Sequence, residues 1–248
     1  MWNFLLILLL GALLGGTAQA GSAPASTAPL SERPSGTLIA DVVALDTPLL
    51  YNRFGSLNPF GMVYALAGDI EPQPGGRWTL EGLSCPSAWR FRTGVRPRPL
   101  VLRGNVGDVL EVRFQNRLGP QPDLSRCRAA KGTPYHHLTR PPAPEAPGAV
   151  RADAGPLSGP ADWPRTRSAN LFIPGVRVLP SGDPATDAIC RGLRSVARGG
   201  SVTCRFALER AGTHLFSSTG APVGGEGDGG SLTHGLFGAL HIERRGSQ

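Results

Sequence analysis

The stretch Pro99-Leu100-Val101-Leu102-Arg103-Gly104-Asn105-Val106-Gly107-Asp108-Val109-Leu110-Glu111-Val112-Arg113-Phe114-Gln115-Asn116 decides how the rest of this chain is read. Leu100 to Arg103 is a short apolar run, Gly104 to Asp108 has the composition of a turn, and Val109 to Gln115 alternates. Successive side chains of a strand point to opposite faces, so the alternation places Leu110, Val112 and Phe114 together on a buried face. Two such runs across a Gly/Asn/Asp turn predict a β-hairpin.

The same signals recur on both sides. Leu38 to Leu45 reads as a first buried strand, Met62 to Leu66 as a second, and further strands are expected near Ala169 to Val178, Val202 to Leu208, Gly212 to Phe216 and Leu236 to Glu243. Val202, Cys204, Phe206 and Leu208 share one face, as do Leu236, Leu240 and Ile242. The 34 glycines and 24 prolines exceed average usage and punctuate these runs. Tyr51 to Gly61 reads as an aromatic loop. Gly119 to about Trp163 is rich in Pro and Ala without usable periodicity, and structureless loops of that length are uncommon inside compact domains. The expected fold class is all-β, a Greek-key β-sandwich with a long irregular insertion at about 119–163.

At the start, Trp2 to Leu14 is nearly continuous apolar sequence followed by Gly15-Gly16-Thr17-Ala18-Gln19-Ala20. Ala18 and Ala20 have the small-residue spacing of a signal-peptidase site, so residues 1–20 read as a secretory signal. An uncleaved anchor is the alternative, since the run approaches the roughly 20 residues that span a bilayer. Residues 21–36 read as a disordered Pro/Ser/Ala linker, 37–243 as the domain and 244–248 as a tail. The last expected strand ends near Glu243, so one complete domain with no second domain after it is expected. No later segment is apolar enough to span a membrane, and the localisation expected is secreted, periplasmic or cell-surface.

Four cysteines, Cys85, Cys127, Cys190 and Cys204, suit an exported chain with two disulfides, for which three connectivities are possible. A bridge from Cys204 to nearby Cys190 across a turn is the favoured structural reading. The formal charge of +7 and pI near 10.0 come mostly from arginines spread singly, such as Arg90, Arg92, Arg96, Arg98 and Arg103. No compact basic run with interleaved aromatics occurs, so specific nucleic-acid binding is not expected. Adhesion to acidic surfaces or polymers fits the charge better.

Pro99 to Arg103, Gly107-Asp108-Val109-Leu110-Glu111-Val112 and Asn116-Arg117-Leu118 resemble the opening strands of a multicopper oxidase cupredoxin domain. Ser168-Ala169-Asn170-Leu171 resembles the strand bearing the first ligand pair, Gly212-Thr213-His214-Leu215-Phe216 the strand bearing the second, and Gly235 to Leu240 the closing strand. The loop at Tyr51 and the stretch Gly224 to Gly230 look more specifically like the N-terminal domain of large bacterial multicopper oxidases, a group that includes manganese-oxidising types. The resemblance covers roughly Leu38 to Glu243 and implies a copper-dependent oxidoreductase only where the ligands are kept. Copper sites of this family need imidazole and thiolate donors. Carried over residue by residue, the resemblance puts Phe172 and Pro174 at the first histidine pair and Ser217 and Thr219 at the second. No Cys is followed by His, no His-x-His occurs, and the methionines are Met1 and Met62. An ordinary blue copper centre or a full trinuclear cluster built from this chain alone is therefore excluded.

Five histidines remain. His136 and His137 are adjacent in the insertion and make a poor chelate. His214 shares a face with Phe216, His234 begins the turn into the last strand, and His241 alternates with Ala239 and Glu243 outward. His214 and His234 are the candidates for an adventitious Cu or Zn site. Glu226 and Asp228 between glycines offer oxygen donors for calcium but match no calcium-loop spacing, so a flexible loop is the default. Ser217, Ser218, His214 and Asp228 supply hydrolase residue types without a G-x-S-x-G elbow or P-loop. No catalytic residue is assigned and no cofactor is expected in this chain, with copper placed in a parent or partner protein. Three functions follow: a ligand-free domain of a larger multicopper oxidase, a stand-alone exported module that binds further cupredoxin domains, an oxidase partner or a surface, and a single-copper carrier. The first is favoured for ancestry and the second for what the polypeptide does alone.

Overall fold

Alternation and β-branched runs dominate the chain, and strands dominate the fold. The computed structural model describes residues 35–51, 57–59, 61–80, 82–120, 126–133, 166–222 and 229–246. The first strands are β1 (Thr37–Asp46), β2 (Leu49–Leu50), β3 (Leu57–Asn58), β4 (Met62–Leu66), β5 (Ile70–Pro72), β6 (Arg77–Leu80), β7 (Leu83–Pro86) and β8 (Trp89–Phe91). After them come β9 (Leu100–Asn105), β10 (Val109–Asn116), β11 (Arg128–Ala129), β12 (Arg177–Leu179), α1 (Pro184–Cys190), β13 (Ser201–Ala207), β14 (Gly212–Ser217), α2 (Gly230–Thr233) and β15 (Phe237–Glu243).

One sheet has the order β12-β13-β10-β1-β4 and a second the order β14-β15-β9. Their inner faces meet in one core, with Val42, Tyr64, Leu110, Val112, Phe114 and Phe206 from the first sheet against Leu102, Phe216, Leu240 and Ile242 from the second. β1 runs parallel to β10 and β9 parallel to β15. Parallel neighbours cannot be joined by tight turns, so the chain crosses over between sheets. This is the all-β Greek-key sandwich expected from the sequence.

The hairpin expected over Leu100 to Gln115 is not formed. β9 pairs with β15, and β10 pairs with β1 and β13, so the turn carries the chain from one sheet to the other. Alternation fixes which side chains face the core but not which sheet a strand joins. Gly104 leaves room for this arch, because a Cβ there would stand 2.5 Å from Leu208 Cδ1. The Asp108 carboxylate accepts hydrogen bonds from the Asn105 N–H (3.0 Å) and the Gly36 N–H (3.2 Å) and pairs with Arg245 (3.2 Å). Gly36, expected to close the disordered linker, is thus bonded into the fold.

A third layer covers the outer side of β1. Val43 and Leu45, which alternate with the core residues Val42 and Ala44, bury against Ile70, Trp89 and Phe91 of the β5–β8 ribbon. Val42 to Leu45 are buried on both faces, whereas Ile39 and Asp41 nearer the start of the strand are exposed. Beside the ribbon, the small β11-β7-β6 sheet buries Trp78 and Leu83 around the Cys85–Cys127 disulfide.

β11 corrects the expectation that the insertion is irregular throughout, since Arg128 and Ala129 pair with Ser84 and Leu83. Gly119, where the insertion opens, and Arg167, beyond its expected far end, both bind Asp46. The Gly119 N–H donates to Asp46 Oδ2 (2.5 Å), while the Arg167 guanidinium pairs with Asp46 Oδ1 and donates to the Gly119 carbonyl (3.2 Å). Ala169 to Val178 is not one strand either: isolated bridges at Ala169 and Phe172 precede β12. Pro174 supplies no N–H to a ladder, and Gly175 turns the chain at φ +77°. α1, absent from the sequence reading, starts where Asp183 accepts bonds from the Ala185 and Thr186 N–H groups with Pro184 in the first turn. It ends at Cys190, bridged to Cys204 as favoured from the sequence.

Candidate functional site

The two segments singled out in the sequence lie side by side. Phe172 and Ser217 form a bridge, with the Phe172 N–H donating to the Ser217 carbonyl (3.0 Å) and the Ser217 N–H donating back (3.2 Å). Two residues back from Phe172 and two on from Ser217, Asn170 meets Thr219. The Thr219 N–H donates to Asn170 Oδ1 (2.8 Å), and Asn170 Nδ2 donates to Thr219 Oγ1 (2.9 Å) and the Arg194 carbonyl (2.8 Å). Thr219 Oγ1 donates onward to the Gly192 carbonyl (2.8 Å). Ser218 Oγ accepts from the Asn170 N–H (3.2 Å) and the Gly220 N–H (3.1 Å). Asn170 is fully buried, and its polar atoms are satisfied by this set.

Tyr64 anchors the network from the opposite sheet. Its hydroxyl donates to the Asn170 carbonyl (2.5 Å), and its ring sits edge-on to Phe114 and Phe216. Burial pushes the Tyr64 phenol well above its ordinary range, partly offset by the Ser218 hydroxyl. A proton held this firmly makes Tyr64 a hydrogen-bond donor and not a base at neutral pH.

The residues at the expected ligand positions do not fit copper. Phe172 and Pro174 carry no donor atom, and the Thr219 hydroxyl is already committed to Asn170 and Gly192. All four cysteines are held in the Cys85–Cys127 and Cys190–Cys204 bridges, which leaves no thiolate to bind a metal.

The two candidate histidines are in different settings. His214 pairs with Leu240, three residues or roughly 10 Å along β15 from its start at Phe237, and His234 lies before that start. His234 is buried, its ring Nδ1 3.3 Å from Asn58 Nδ2, and its carbonyl accepts from the Met62 N–H (2.7 Å). His241 faces outward, within 2.9 Å of the Thr213 hydroxyl. No group of three metal-ligating side chains occurs among the described residues. His136, His137, Glu226 and Asp228 lie outside the described residues, as do residues 1–20, read from the sequence as a signal, and most of the Tyr51 loop. No described helix is long and apolar enough to cross a membrane.

Sequence reasoning treated Asn170 as a flank of the ligand segment, weighed Ser218 only as a hydrolase residue type and passed over Tyr64. The available signal was an amide between Ala169 and Leu171 in an otherwise apolar run, since a buried polar group must be matched by partners elsewhere.

Fold and site together define an all-β two-sheet sandwich whose expected ligand edge is closed by hydrogen bonds. The structures it is similar to include a multi-copper oxidase from Pseudomonas thermotolerans, at 16% identity and TM-score 0.41 over 85% of this chain and 30% of that one. A copper nitrite reductase from Nitrosomonas europaea gives 12%, 0.39, 84% and 42%, and another multicopper oxidase 17%, 0.39, 84% and 42%. The chain therefore spans less than half the length of each of these structures. No protein-family model and no curated protein matches it.

Proposed function

We propose that this chain is an exported cupredoxin-like module that serves as a scaffold or partner-binding domain and holds no complete copper centre of its own. The observation that carries the reading is the Phe172–Ser217 bridge with the Asn170–Thr219 clasp beside it. The two segments that the family resemblance makes ligand-bearing are neighbours in space, joined by backbone hydrogen bonds and by the side chains of Asn170, Ser218 and Thr219. Copper chemistry, where the module takes part in it, then belongs to another domain or chain, and the natural partners are further cupredoxin domains or an oxidase. The two disulfides and the apolar N-terminal run support a secreted, periplasmic or cell-surface location.

The test is metal analysis of the secreted protein after equilibration with Cu(II) and exhaustive dialysis, combined with its visible spectrum. The expected result is copper well below one equivalent and no intense copper–thiolate absorption. One equivalent of copper surviving dialysis would overturn the reading.

A further inference from the structure

At the other end of β14, away from the closed edge, a cleft of about 260 Å³ opens between the two sheets. Its walls are Gly175, Val176 and Arg177 at the start of β12, Glu209 and Arg210 on the connection from β13 to β14, and His214 on β14. The connection is fixed at its base, where the Leu208 N–H donates to the Asp108 carbonyl (3.0 Å) and the Gly107 N–H donates to the Leu208 carbonyl (2.7 Å). Arg177 meets Glu209 through Nε (2.7 Å) and Nη2 (2.6 Å) on one carboxylate oxygen, which neutralises the acid that lines the cleft. Arg210 is exposed on this connection and makes no ion pair among the described residues.

His214 is the unusual member. It lies on the inward face with Phe216 and is half-buried at the sandwich edge, yet its ring nitrogens make no hydrogen bond among the described residues. Gly175 lies against it, since a Cβ built there would stand 3.7 Å from His214 Nδ1, an ordinary contact distance. A half-buried imidazole, a guanidinium with no ion pair among the described residues and an acid paired with Arg177 make a donor-rich pocket suited to an oxyanion. Two apolar residues, Ala207 and Ile242, complete the lining.

We infer that this cleft binds a small oxyanion, the carboxylate or phosphate group of a ligand, with Arg210 and His214 as its donors. The test follows the imidazole signals of His214 by NMR, assigned with His214→Gln, during titration with sodium phosphate, sodium acetate and sodium chloride at matched ionic strength and fixed neutral pH. Saturable shifts are expected with phosphate, acetate or both, and not with chloride; phosphate alone assigns a phosphate group and acetate alone a carboxylate. Arg210→Gln, an exposed loop change that leaves the fold intact by circular dichroism, weakens the response roughly tenfold through loss of one charge-assisted bond. An equal response to chloride, no saturable shift with either oxyanion, or undiminished binding by Arg210→Gln would overturn the assignment.

Discussion

β14 runs between two unlike ends of the molecule. At the Ser217 end, Asn170, Ser218, Thr219 and Tyr64 form a buried set in which each polar group finds a partner. At the Gly212 end, His214 and Arg210 line an open cleft without hydrogen-bonded or ionic partners among the described residues. Both ends are polar, but only the first is enclosed, and enclosure makes an unpaired polar group costly. The closed end is therefore a matter of stability and the open end a matter of binding.

The sharpest way to break that contrast is to remove one side chain from each end. Asn170→Leu keeps the branched shape but adds volume at a fully buried site and strips partners from the Thr219 N–H and the Arg194 carbonyl. The expected loss is about 3 kcal/mol or more, equivalent to a fall in Tm of roughly 6 to 12 °C. His214→Gln is expected to change stability by about 0.5 kcal/mol or less. Denaturant unfolding of both variants measures the difference directly. Comparable losses at the two ends would show that His214 is structural after all.

Tyr64→Phe sharpens the comparison within the closed end. Deleting the hydroxyl leaves the Asn170 carbonyl short of one donor, and a loss of about 1 kcal/mol is expected at neutral pH. The pH dependence has a definite sign. Burial raises the folded-state value of Tyr64 above the ordinary 10.0 of a phenol. Below pH 10 the phenol is protonated in both states; above it the unfolded chain releases a proton that the folded chain retains, so stability falls as pH rises. Wild type is expected to lose stability above about pH 10 more steeply than Tyr64→Phe, by up to one proton in the slope. Parallel curves from alkaline denaturation would place the hydroxyl in contact with solvent.

These contrasts trace the limit of what the sequence could reveal. The strands at Val109, Val202 and Leu236 were legible because a half-buried strand writes its burial into a two-residue period, and the strand at Leu38 because Val42 to Leu45 is unbroken apolar sequence buried on both faces. The Cys190–Cys204 bridge was legible because the two cysteines are close in sequence, at a separation of 14. The arch at Gly104 was not, since strand partners lie far away and alternation is the same in a hairpin and in a crossover. The β5 to β8 layer was missed because strands of three or four residues show no period. The two segments around Phe172 and Ser217 were found by resemblance, but their closure was not, because a hydrogen-bonded Asn170 and a solvated one look alike in a sequence. Alternation put His214 on the face of Phe216, while the cleft beside it depends on where the start of β12 packs.

The smallest expected effect tests whether the open end contributes to the fold at all. Arg177 and Glu209 are 2.6 Å apart, but their side chains are 55% and 53% exposed. Exposed pairs lose most of their attraction to water and to the entropy of ordering two long side chains. Arg167 and Asp46 offer the counterexample in the same protein, where Arg167 is only 9% exposed and its charge has little access to solvent. A double-mutant cycle of Arg177→Gln and Glu209→Gln is therefore expected to give a coupling of about 0.5 kcal/mol or less in stability, shrinking further as salt shortens the Debye length. A salt-insensitive coupling well above 1 kcal/mol would mean that the pair is effectively buried. The cleft wall would then be part of the same structural clasp as the closed end, and the division between a stabilising end and a binding end of β14 would no longer hold.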